Sequence, residues 1–233
     1  MTSHVVTGFE SIVSSHRDDH DGGYYLVDAI VDYAKTLQAS ERDDLRSHLL
    51  RLVDSTAAHL WGVALEALVR EWGSSIAPAL GTMAKGGSHS DRWERQVLLA
   101  LLNLRFTAIT EQANQFVARK VAVRDYSIIP VAASLANLDS ESSLKALTSI
   151  LLQASRADQL SWVEGNIPGI AIHLCNAQKT LVSQLVLRIA AVDRNAAAQV
   201  AGVFVEYFER PEVKEREGEG AASDLIMYSR GSF

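Results

Sequence analysis

The sequence predicts an all-α fold, and three observations carry that expectation. Alanine and leucine recur at helical spacing along the chain. No segment of comparable length alternates apolar and polar residues with period two. Four prolines and fourteen glycines in 233 residues are too few turn formers for a sandwich or barrel of many short strands. With 48% apolar and 21% charged residues, the chain can bury one sizeable core, or a continuous core shared by stacked units. Disorder is excluded as a description of the whole chain.

Taken in order, Ser40 followed by Asp43 reads as an N-terminal capping arrangement. Leu60, Ala64, Leu68 and Trp72 form a ladder of i, i+4 steps, with Trp61, Leu65 and Val69 in a second ladder beside it. So wide an apolar face belongs to a helix packed on two sides. Trp93, Val97, Leu98, Leu101 and Leu102 repeat the pattern, as do Leu144, Leu147, Ile150 and Leu151. Leu181, Leu185, Val186 and Ile189 follow, then Val200, Val203, Phe204 and Tyr207. Pro78, Pro130 and Pro168 each stand shortly after a candidate cap, at Ser75, Ser127 and Asn166. In a first helical turn the missing N–H costs nothing, because those amides have no partner within the helix.

One regularity organises these helices. Asp21, Asp54, Asp91, Asp125, Asp158 and Asp193 recur at intervals of about 34 residues, the length of one helical hairpin in an α-solenoid. Each is expected to cap the first helix of its unit. Stacked Ala- and Leu-rich helical pairs with these starts resemble HEAT or armadillo-type repeats at superfamily level. The tetratricopeptide signature is absent. The fifth unit, with pieces at 158–164, 167–176 and 178–191, is more similar to a three-helix armadillo unit. The resemblance implies a right-handed α-solenoid of about five to six HEAT-like hairpins over residues 23–208. It is flanked by a polar N-terminal segment, 1–22, and by a charged linker with a possible capping helix, 209–233. A non-repetitive helical bundle is the alternative architecture.

No catalytic constellation is found. There is no Gly-x-Ser-x-Gly, His-Glu-x-x-His or Cys-x-x-Cys pattern, and Gly86-Gly87 lacks the preceding strand of a phosphate loop. Cys175 lies two positions from His173, a spacing that puts the two on different faces of a helix. His16 and His20, with Asp18, Asp19 and Asp21, have metal-ligand spacing but no apolar neighbours to hold them, so no metal or cofactor is expected. A single cysteine forms no internal disulfide, and the start of the chain lacks the basic residues and apolar run of a signal peptide. A reducing, cytoplasmic setting is the expectation, and no stretch has the length to span a bilayer.

Charge is unevenly distributed. Residues 1–78 carry twelve acids and six bases, residues 79–205 nine and twelve, and residues 206–233 seven and four. Asp28, Asp32, Asp43 and Asp44 crowd the first unit, either as the wet face of an outer helix or as a surface that steers a basic partner. Trp61 and Trp72 are eleven residues apart on one helix, as core packing or as a binding hot spot. The candidate partner-binding residues are therefore Asp28, Asp32, Asp43, Asp44, Trp61 and Trp72. The expected function is non-enzymatic protein binding, of the kind by which an immunity protein neutralises a basic toxin domain. One alternative is a HEAT-like nucleic-acid-binding protein or DNA glycosylase using Arg92, Arg95, Arg105, Arg119, Lys120 and Arg124, against which the pI of about 5.6 argues. Another is a structural adaptor in a larger assembly.

Overall fold

In the computed structural model every regular element among the described residues is helical, as the periodicity predicts. The structure describes residues 3–16, 22–55, 60–86, 89–156, 180–217 and 226, 229 and 230. The helices are α1 (Ser3–Ser15), α2 (Gly22–Thr36), α3 (Ala39–Asp54), α4 (Trp61–Trp72), α5 (Ala77–Lys85), α6 (Asp91–Asn103), α7 (Thr110–Ala122), α8 (Ile129–Ser134), α9 (Ser140–Arg156), α10 (Thr180–Ala190), α11 (Arg194–Phe208) and α12 (Pro211–Glu217). Short 3-10 turns at Gly73–Ile76, Thr107–Ile109, Tyr126–Ile128 and Leu135–Asn137 join several of them. The chain divides into two compact units, Met1–Ala108 and Ile109–Phe233.

In the first unit, α1 packs on α2 and α3, α2 on α3 and α4, and α3 on α4 and α5, while α6 meets α4 and α5. The apolar stripes explain this pairing. Leu45, Leu49 and Val53 of α3 and Ala64, Leu65, Ala67 and Leu68 of α4 are all buried. Residues 3–15, which the sequence reading sets outside the helical domain, form α1 because Val5 and Phe9 fall one turn apart and are both buried. Gly8 sits between them, so close to Tyr33 that any Cβ would collide with the phenol oxygen. That approach lets the Tyr33 hydroxyl donate to the Val5 carbonyl at 3.3 Å. Farther along, the Trp93 indole N–H donates to the Val53 carbonyl at 2.6 Å, joining α6 to the end of α3.

The second unit is built around α9, which contacts α7, α8, the 135–137 turn, α10 and α11. Its Leu144, Leu147, Ile150, Leu151 and Ala154 are buried. The buried Ser143 hydroxyl is satisfied by donating to the Ala132 carbonyl at 2.7 Å. Within the segment expected to be a charged linker, α12 forms behind Pro211 and packs on α11, with Val213 buried.

Helix ends follow local chemistry, and here several expectations are corrected. Asp193 does cap α11, accepting from the Ala196 N–H at 3.0 Å. Asp54, however, is the last residue of α3, and Asp91 is the first residue of α6 behind the true cap, Ser90. Asp125 accepts from the Ser127 N–H at 3.1 Å and leads into a 3-10 turn. Asp139, outside the spaced series, holds the start of α9 by accepting from the Ser142 N–H at 3.0 Å. The 34-residue spacing therefore marks no single structural role among Asp54, Asp91, Asp125 and Asp193, while Asp21 and Asp158 lie outside the described residues. Capping demands an extended residue directly before the first turn, and spacing alone does not supply one. At α3 the N-cap is Gln38, not Ser40, and its N–H donates to Glu41 at 3.0 Å. Pro78 and Pro130 do stand in the first turns of α5 and α8, whereas Pro168 lies outside the described residues.

Two helices end the same way. After α6 the Arg105 N–H bonds the Leu102 carbonyl and the Phe106 N–H the Leu101 carbonyl, both at 3.0 Å. After α7 the Arg124 N–H bonds the Val121 carbonyl at 3.1 Å and the Asp125 N–H the Lys120 carbonyl at 2.9 Å. Both are Schellman closures, in which the residue beyond the cap is left-handed. Arginine occupies that position in each, at φ 55° for Arg105 and 57° for Arg124. Arg105→Gly and Arg124→Gly should each raise stability by about 0.5–1 kcal/mol in urea unfolding, since glycine removes left-handed strain at some cost in chain entropy.

The Asp139 cap gives a pH dependence. Hydrogen bonds from the Ser142 N–H, then from its hydroxyl, hold the Asp139 carboxyl below the usual carboxylate range. Because the folded value is depressed, this stabilisation is full above about pH 4 and is lost as the pH falls through the folded pKa. Asp139→Ala should cost about 1 kcal/mol at neutral pH. Asp139→Asn should keep most of the cap while flattening the acid limb of the stability–pH curve.

Candidate interaction surface

The six sequence-nominated residues fall on three helices of the first unit. Asp28 and Asp32 stand one turn apart on the exposed face of α2, in line with Tyr25, whose ring is 61% exposed. Asp43 and the half-buried Asp44 lie on α3. Trp61 opens α4 and Trp72 closes it, and both are half-buried.

The carboxylates are not bare. Asp28 accepts from Arg70 at 2.5 Å, and the same guanidinium reaches Glu66 at 3.0 Å, one turn back on α4. Asp32 pairs with Lys35 at 2.9 Å, a bond that pushes the lysine pKa up. Asp43 pairs with Arg46 at 3.1 Å. Beneath them Arg42 bridges α3 to the nearly buried Glu71 of α4. Surface pairs of this kind contribute little stability, but they neutralise the local field. The face that the sequence presents as acidic is a mixed-charge surface.

Trp61 belongs to a more distinctive feature. With Gly62, Leu65, Glu66 and Val69 it forms one wall of a groove of about 630 Å³, whose other wall is the α6 stripe Arg92, Gln96, Leu99 and Asn103. Trp72 does not line it. The sequence displays the apolar stripe of α6, Trp93 to Leu102, and only the folded chain sets the neighbouring stripe from Arg92 to Asn103 opposite Trp61. A second groove, of about 500 Å³, lies between α7 and α9 in the other unit, lined by Val117, Ala118, Val121 and Ala146 with Lys145 at its edge.

Arg92, Arg95 and Arg105 belong to the first unit and Arg119, Lys120 and Arg124 to the second. Arg119 and Lys120 lie 5.6 and 5.8 Å from the Phe116 ring, in the last turn of α7, where cations complement the helix dipole. Lys120 also stands 3.7 Å from Asp125. His16 is 2.9 Å from the Ile12 carbonyl. Among the described residues no group of three His, Cys, Asp or Glu side chains is placed to hold a metal ion. His20, Asp18, Asp19, Cys175, His173 and most of the proposed fifth unit lie outside the described residues. Gly86 ends α5, and beyond it His89 stacks on Trp93, centroids 3.7 Å apart, with its imidazole 3.3 Å from Asp54. No helix among the described residues is long and apolar enough to cross a membrane.

Comparison with protein-family models, curated proteins and solved structures finds no match.

Gly62 offers a direct probe of the groove. A Cβ built there meets nothing within 4 Å, since the position faces open space. Gly62→Ala should therefore raise stability by about 0.5 kcal/mol through helix propensity, measured by thermal or urea unfolding.

Proposed function

We propose that the chain is a non-enzymatic helical-repeat protein of HEAT-like organisation whose work is to bind another protein. The observation that carries this reading is the α4–α6 groove, lined by a tryptophan and further apolar residues along one helix and by a mostly polar stripe along the other. Apolar centres rimmed by polar groups are the usual anatomy of protein contact sites, and tryptophan is enriched at their energetic centres. Support for repeat organisation comes from the first unit, where helices pack on the next neighbour and on the one beyond, as stacked hairpins do. Within this class we favour the role of an immunity protein, which acts by covering a toxin domain. The surplus of acids in residues 1–78 supports long-range attraction of a basic partner, strongest at low ionic strength where screening by salt is weak.

The test uses the full chain and the polypeptide encoded beside it in its source genome, titrated by calorimetry. Trp61→Ala and the groove-filling Gly62→Gln should each weaken binding at least tenfold with unchanged circular dichroism. Indifference to both variants would contradict the reading, as would the absence of any complex. Duplex DNA should not shift in a native gel at low salt, and a shift abolished by replacing Arg92 and Arg95 would instead support a nucleic-acid role.

A further inference from the structure

The two walls of the α4–α6 groove differ in chemistry. On α4, Trp61, Leu65 and Val69 succeed one another at four-residue intervals as three apolar levels, the middle one, Leu65, nearly buried. On α6, Arg92, Gln96, Leu99 and Asn103 follow the i, i+4, i+7, i+11 stripe of one helical face, about 16 Å from end to end. Three of those four side chains are hydrogen-bond donors.

The charges of the groove are also unequal in their state. Glu66, on the α4 side, is held by Arg70, which holds Asp28 as well. Arg92 is exposed and makes no ion pair or hydrogen bond among the described residues. Arg92 is therefore the cation of the groove lining without a partner among the described residues, in a chain whose net charge is −6.

Resting on the protein-binding reading above, we infer that the groove takes an amphipathic helix of the partner, about three turns long, with an aspartate or glutamate on the flank that faces Arg92. The bulky apolar residues of that helix, at i, i+4 and i+7, cover the Trp61–Val69 wall. Its carboxylate meets the Arg92 guanidinium, whose planar fork suits two parallel hydrogen bonds, and polar flank residues meet the Gln96 and Asn103 carboxamides. A helix fits because the α6 wall runs about three turns and the apolar α4 levels recur at one-turn intervals. A basic segment would place its charge against Arg92, so the expectation of a basic partner does not extend to this groove.

The experiment selects phage-displayed 14-residue amphipathic helices with randomised flanks on the full chain, then titrates synthesised winners by fluorescence anisotropy. Asp or Glu should be enriched at one flank position, and Arg92→Glu should weaken the winners at least tenfold. Replacing the peptide's acid by Lys should restore binding to the Arg92→Glu variant. Lys85→Glu, at the exposed end of α5 and outside the groove, should leave affinity unchanged. Selection of basic or random flanks, failure to enrich any binder, or an Arg92→Glu effect below twofold would overturn the inference. If the polypeptide encoded beside this chain binds wild type and Arg92→Glu alike, only the groove assignment fails. If it binds neither, the protein-binding reading fails with it.

Discussion

The burial of α4 between α2 and α3 is the interaction on which the first unit depends. Leu68 and Ala67 are wholly buried and Ala64 and Leu65 nearly so. Full burial of one leucine side chain stabilises by roughly 1.5–3 kcal/mol. The small residues Ala64 and Ala67 let α2 and α3 approach α4 closely. Once Ala64, Ala67 and Leu68 are committed to the interior, Trp61 and Val69, with the nearly buried Leu65 between them, line the groove toward α6. The same packing brings Arg70 to Asp28 and Glu71 to Arg42, so the ion pairs between helices follow from apolar burial.

The second unit solves the same problem with α9. That helix is held at its start by the Asp139 cap, in its middle by leucines and isoleucine, and on its surface by Glu141, whose carboxylate takes the Arg188 guanidinium of α10 at 2.8 Å. In both units electrostatics acts after packing. Ion pairs on the folded surface leave Asp28, Asp32 and Asp43 partnered, while the net surplus of acids in residues 1–78 is unchanged by pairing.

Much of the fold was legible because helix formation is local. The ladder Leu60–Trp72, the stripe Trp93–Leu102 and the first-turn prolines at 78 and 130 report on residues within a turn or two of one another, which a single sequence displays directly. The Asp series misled for the opposite reason. A carboxylate caps only when its residue stands directly before the first turn with the third amide onward within reach, a condition met at Asp193 and at Asp139 but not at Asp54, which ends α3. The helix at 3–15 was obscured by the polar run that follows it, although Val5 and Phe9 carried the signal. The left-handed Arg105 and Arg124 could not be anticipated, because the Schellman position ordinarily goes to glycine. Of the candidate surface, Trp61 and the acids of α2 were visible in the sequence. Gln96, Asn103 and Gly62 gained meaning only when α6 was set against α4, a contact between stripes some thirty residues apart that no local pattern encodes.

The buried face of α4 locks this helix in place and so fixes the groove wall in the folded chain. Native-state hydrogen exchange on the full chain tests it most directly. The amides of Ala64 to Leu68 should exchange only through global unfolding of the first unit, with a free energy equal to that from denaturant titration of the same residues. Exchange of these amides through a cheaper local opening, while α2 and α3 stay protected, would show that α4 is not the fixed element and would contradict the account.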